Sequence, residues 1–323
     1  MLKISKYAKS FLVLPFLAAV VSCEDVPTYT LPGPYVPPPV KGDDGRRLAW
    51  EPAPGEKQCY EPSFSPDGMK VVVSYRFGIF ARAADLAILD LGTGKIKIIV
   101  EGNCAKRPAW SPTGEWIAYM SDTGPGRYIW LCRPEGSEHH RLDFKWALTP
   151  RWGPKGDRVY FTYVYNAREK DYGVYYDFDE RKLHVLYRDP LRNVGALVPS
   201  PGGDKVAFFL DDNLQSYKGI NLALINDDST GFEVKWPAGA PHVWAAAQAW
   251  ARDGKYILMT YGYLGTGIDE LGTYELKTGI FRPLTMCPPR LEEENILSAS
   301  WGPNGDILFG NAKGRLFMIK EPE

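Results

Sequence analysis

Six stretches of this chain couple a tight turn to a run of β-branched and aromatic residues. After Gly68 the sequence reads MKVVVSY, after Gly114 EWIAYMS and after Gly156 DRVYFTY. After Gly203 it reads DKVAFFL, after Gly254 KYILMTY and after Gly305 DILFG. Short apolar-rich runs bounded by turn residues predict strands buried within a sheet. The third residue after each of these glycines is apolar throughout: Val71, Ile117, Val159, Val206, Ile257 and Leu308. The turns themselves are near-copies of one another: FSPDG, WSPTG, WGPKG, PSPGG, WARDG and WGPNG. Their final glycines recur at intervals of 42 to 51 residues. Proline presets its own φ and glycine accepts the positive φ that such a turn demands, so each copy predicts a strand–turn–strand hairpin.

A second hairpin follows in most copies. The first has DLAILDL, GTG and KIKIIV; the second has RYIWLC, then a turn, then HHRLDF. The third has GVYYDF and LHVLYRD, the fourth INLALIN and FEVKW, and the fifth GTYEL and IFRPLT. Each repeat therefore supplies four antiparallel strands. Six such repeats of this length predict an all-β fold, a six-bladed β-propeller of four-stranded antiparallel blades. The sixth copy ends early, with GRLFMIK followed only by EPE. The segment Arg46 to Trp50, RRLAW, precedes the first copy and reads as a strand without a partner. It is expected to complete the last blade, which closes the ring and hides a sheet edge.

The segments PSFSPDGMKVVVSY and PAWSPTGEWIAYMSD resemble the WD40-like repeats of TolB-type six-bladed propellers. The resemblance covers residues 46–323. It speaks strongly for the fold and weakly for function. TolB itself carries a separate N-terminal domain, for which a lipid anchor is expected to stand here, so its binding to peptidoglycan-associated lipoprotein does not carry across. Some propellers of this type are oligogalacturonate lyases, which depend on a His-rich metal site. Others precede a serine peptidase domain, which is not expected here.

The N-terminal segment follows different rules. Lys3, Lys6 and Lys9 precede FLVLPFLAAVVS, an apolar run too short to span a bilayer. Residues 1–22 are read as a secretory signal peptide. Val20-Val21-Ser22-Cys23 resembles the lipobox of bacterial lipoproteins, which implies lipid attachment at Cys23. More than one acyl chain would make that anchoring stable. Residues 23–45 then form a tether rich in proline, EDVPTYTLPGPYVPPPVKGDDG after the cysteine. At about 3.1 Å per residue it would reach on the order of 60 Å. Export allows disulfides. Cys59, Cys104 and Cys287 each precede a repeat motif and are candidates for one bridge, whereas Cys132 falls in a strand and is expected as a buried free thiol.

Composition adds little and removes something. The formal net charge of the 323 residues is -1, which gives no electrostatic case for nucleic acid. The sequence contains no HExxH, Gly-x-Ser-x-Gly or P-loop pattern. Its four histidines are scattered: His139, His140 and His184 in or near outer strands, and only His242 on a candidate ligand face. No cofactor, metal site or enzymatic activity is expected.

Longer, dissimilar loops should gather on the face opposite the repeated turns, and variable loops on a rigid scaffold are where recognition sits. That face is expected to present Arg76, Arg107, Trp146, Tyr165, Asp211, His242, Trp244 and Tyr261. Tyrosine, tryptophan and arginine supply much of the energy of protein interfaces. The expected function is therefore a monomeric, lipid-anchored binding or scaffolding module of the bacterial outer membrane, with an envelope protein or peptide as partner. The alternative is a surface glycan-binding or glycan-cleaving lipoprotein, since the same side chains stack on sugars.

Overall fold

The computed structural model describes residues 45–164, 171–190, 192–211, 221–235, 243–263, 269–285 and 296–321. These residues form six four-stranded antiparallel sheets and no helix. Five blades take their strands in chain order. Their innermost strands are Gln58–Phe64, Ala105–Trp110, Ala147–Trp152, Asn193–Pro199 and Val243–Trp250. The sixth blade begins with Ile296–Trp301 and takes its outermost strand from the other end of the chain. That strand is Arg47–Trp50, with Arg47 opposite Met318 and Trp50 opposite Leu316. The ring is thus closed as the sequence predicts, starting one residue later than read.

The blades are held to one another by apolar packing. There are six hydrophobic clusters, and each lies between two neighbouring blades. One of them joins Leu308, Leu316 and Met318 of blade six to Val71, Val73 and Leu89 of blade one. The seam is therefore as dry as the other joints. All six residues at the third position after a repeat glycine are fully buried, at 0 % exposure.

The repeated turn also has an inter-blade role. In the first copy the Ser65 amide donates to the Lys70 carbonyl (2.9 Å) and the Gly68 amide to the Ser65 carbonyl (2.9 Å). Asp67 accepts from the Ser65 hydroxyl and from the Met69 amide (2.9 Å). Gly68 has φ +72°, and a Cβ there would lie 3.0 Å from Pro303 of the preceding turn. Gly203 faces Pro154 in the same way, at 3.1 Å. Proline of one turn thus abuts glycine of the next, which accounts for their joint recurrence. Two of the tryptophans that open the motif add a bond between blades. Trp152 Nε1 donates to the Ala109 carbonyl (3.0 Å) and Trp250 Nε1 to the Val198 carbonyl (2.8 Å).

Some outer strands are shorter than their sequence suggests. HHRLDF yields only His140–Arg141 and IFRPLT only Phe281–Pro283. Outer strands have one paired neighbour, so side-chain pattern holds them less tightly. Cys59, Cys104 and Cys132 are free thiols. Burial pushes the Cys59 thiol well above its ordinary range and Cys132 up to about 12. Cys287 lies outside the described residues.

Candidate binding site at the loop-side mouth of the channel

Every innermost strand shifts register against its neighbour. Such a bulge sets two residues against one and re-aims side chains. In four blades a residue at the irregularity takes a left-handed conformation: Glu61 (φ 57°), Arg107 (51°), Thr149 (51°) and Ala196 (45°). Each stands seven positions before its repeat glycine, and the first three precede a proline. All four line a cavity of about 450 Å³ in the ring's central channel, on the side where the chain enters the innermost strands.

Charge is concentrated on one side of this cavity. The Arg107 amide donates to Glu61 Oε2 (2.9 Å), and Arg107 Nε stands 3.9 Å from Glu61 Oε1. Arg76 Nη1 lies 3.7 Å from the same carboxylate. The Arg76 guanidinium is buried over the Tyr60 ring, 4.7 Å from its centroid, and donates to Ser74 Oγ (3.3 Å). Arg151 is the third cation. It projects into the channel, where Nη1 donates to the Pro150 carbonyl (3.0 Å). Desolvation pushes the Arg151 guanidinium down to about 10, with the like charge of Arg107 acting in the same sense and Glu61 opposing it. It remains charged at neutral pH. A larger cavity of about 830 Å³ occupies the other mouth, lined by prolines of the repeated turns, and Arg151 borders both.

The residues expected on the ligand face are dispersed more widely than the sequence suggests. Arg107 reaches the cavity mouth, and Arg76 backs it from a buried position. Trp146 is 40 % exposed, with Lys145 Nζ over its ring at 5.5 Å. Tyr261 is a correction. It is 1 % exposed, packs edge-on against Phe281 and donates to Glu270 Oε2 (2.7 Å), so it belongs to the core. Asp211 and Trp244 lie in strands rather than loops, opposite Asn193 and Gly262. Tyr165, His242 and Cys23 lie outside the described residues. Glu61 and Arg151 were not singled out from sequence. The signal that marks Glu61 is its position: it holds a charge where the repeat is least alike, just before a proline.

Among the described residues no group of three or more His, Cys, Asp and Glu is placed to hold a metal ion. His184 stacks on Tyr175 and contacts Glu180 Oε2 (2.9 Å) in an outer strand.

No family model matches the chain. Among solved structures, the chain superposes on a putative TolB from Agrobacterium tumefaciens with a TM-score of 0.62 at 13 % identity, covering 86 % of this chain and 94 % of that one. The fold is a TolB-like six-bladed β-propeller. TolB from Acinetobacter baumannii gives a TM-score of 0.57 at 18 % identity, over 83 % of this chain and 64 % of that one. An oligogalacturonate lyase in complex with manganese gives 0.57 at 15 % identity, over 83 % and 90 %. The TolB-like propeller thus occurs in proteins of different function. In sequence, 104 residues are 26 % identical to the Tol-Pal system protein TolB of Francisella tularensis. That match spans 30 % of this chain and 24 % of the relative.

Proposed function

We propose that this protein is a non-enzymatic binding or scaffolding module of the bacterial cell envelope, anchored to the outer membrane through a lipid at Cys23. The signal peptide of residues 1–22 directs export, and the proline-rich stretch of residues 23–45 holds the ring of residues 46–323 away from the membrane. An envelope protein or peptide docks on the loop face of a monomeric ring. The carrying observation is the open cavity at that face, with Arg107 and Trp146 presented on a closed, rigidly packed scaffold. The likeness to TolB proteins is consistent with this reading.

Affinity capture from native envelope tests it, with the full chain as bait and an Arg107→Gln, Trp146→Ala double variant as control. A protein retained by the wild type and lost by the variant supports the reading. Equal recovery by both removes the loop face from the account. Retention of acidic oligosaccharides in place of any protein would favour the glycan alternative.

A further inference from the structure

Two guanidinium groups, Arg107 and Arg151, line the loop-side cavity, and Arg76 stands behind its wall against Glu61. Two carboxylates answer them, Glu61 and Asp171, and Asp171 has interactions of its own. The lining is balanced in charge, two cations against two carboxylates, but not paired one to one. Glu61 is committed, since it accepts the Arg107 amide and stands within 4 Å of Arg76 and Arg107. Arg151, by contrast, forms no ion pair among the described residues and feels Glu61 only at longer range. An arginine carries five N–H donors in a planar fork. Among the described residues Arg151 uses one of them, toward the Pro150 carbonyl. Arg151 is half-buried, and a partly desolvated ion is costly unless it is paired. Its remaining donors face a cavity that is open.

The shape and the apolar lining narrow the ligand. Pro62, Pro108, Leu148, Val194 and Leu297 line the same space. A planar guanidinium fork with unused donors matches a carboxylate with two parallel bonds.

We propose that the loop-side mouth of the channel is a carboxylate-receiving site, in which an acidic side chain or a C-terminal carboxylate of the docked partner enters the cavity and bridges Arg107 and Arg151. This deepens the docking reading, on which it rests for the identity of the carrier. The apolar residues of the wall lower the local dielectric around the pair and strengthen it. The prolines at positions 108 and 150 stiffen the bulges next to Arg107 and Arg151, so the arginines meet the ligand already ordered. Lysine at position 151 would supply a charge without the fork and should bind less tightly than arginine, yet better than an uncharged residue.

The test is a titration of the full chain, followed by NMR at the arginine Nε–H groups. Three short probes are used: acetyl-Ala-Glu-Ala-amide, acetyl-Ala-Ala-Ala with a free C-terminus, and neutral acetyl-Ala-Gln-Ala-amide. A carboxylate probe should move the Arg107 and Arg151 signals with millimolar affinity, weakening as salt is raised. The neutral probe should move neither. Whichever charged probe binds names the source of the carboxylate. Arg151→Gln should lose at least tenfold in affinity, and Arg151→Lys should recover part of that loss. Should Arg151→Gln fail to fold, Arg107→Gln carries the same expectation from the other arm of the bridge. Equal binding of neutral and charged probes, undiminished binding in the glutamine variants, or no binding at all overturns the site. Partner capture that survives Arg151→Gln would leave docking standing and remove the channel site. Carboxylate binding without any captured partner would do the reverse.

Discussion

Gly68 and Gly254 share a conformation and differ in surroundings. Both have φ +72°, but a Cβ at Gly68 meets Pro303 at 3.0 Å, whereas at Gly254 the nearest atom, on Pro201, is 3.8 Å away. Alanine at either position enters the left-handed region at a cost of about 1–2 kcal/mol. Gly68→Ala should destabilise further, because Pro303 is a rigid ring that cannot swing aside. Denaturant midpoints of the two variants should separate in that order; equal midpoints would mean that turns do not brace one another. Asp177 provides a second residue-scale prediction. Its carboxylate accepts the amides of Asp179 and Glu180 (3.0 Å each) and Arg158 Nε (2.9 Å). The Glu180 amide bond first, and then the Arg158 contacts, hold it below the usual carboxylate range despite its burial. A lowered folded-state value contributes stability above the unfolded carboxyl's pKa, about 4, and loses it as pH falls through the folded value. The melting temperature should therefore drop on acidification below about pH 4, and Asp177→Asn should flatten that limb. An unchanged acid limb in the variant would reject this role.

At the scale of strands, the bulged innermost strand separates what the sequence showed from what it hid. The hairpins were legible because turn chemistry and apolar runs agree at every copy. The third positions after glycine were legible for the same reason, and all are buried. Tyr261 was misplaced because Tyr256–Tyr263 runs eight residues, past the point where its glycine and tyrosines suggest a loop. Arg151 was hidden by the bulge. Strict alternation assigns faces two by two, and one extra residue inverts that assignment for everything beyond it. The same bulges carry left-handed residues, and Ala196 is the simplest to relieve. Ala196→Gly should stabilise the fold by a few tenths to about 1 kcal/mol, the strain removed less the added freedom of the unfolded chain. A loss of stability in urea melts would show that its methyl group packs usefully in the channel. The short closing strand is the other element to test. Removing residues 46–50 exposes the edge of Leu316–Lys320 and uncovers Trp50's contacts at the seam cluster. A marked fall in melting temperature is expected, and unchanged melting would rule out closure as a source of stability.

The whole ring should unfold as one body, since its six clusters are links in a closed chain of contacts. Leu308, at the seam between blades six and one, and Leu258, between blades five and six, are both fully buried. Alanine at either should cost about 2–5 kcal/mol and lower a single calorimetric transition. A separate early transition in Leu308→Ala alone would mean that the seam opens before the rest.

Mechanical load finds a particular path through this architecture. The strand Arg47–Trp50 is the first part of the ring reached by any pull on the chain before it. It lies on an outer edge, paired on one side, with Arg47 opposite Met318 and Trp50 opposite Leu316. Its leading end lies beside the closing stretch of its antiparallel neighbour, so tension applied there peels contacts one after another instead of shearing them together. The latch that makes the ring stable at rest is thus also its release point under tension: the sixth blade would lose its outermost strand while the five chain-ordered blades stayed whole.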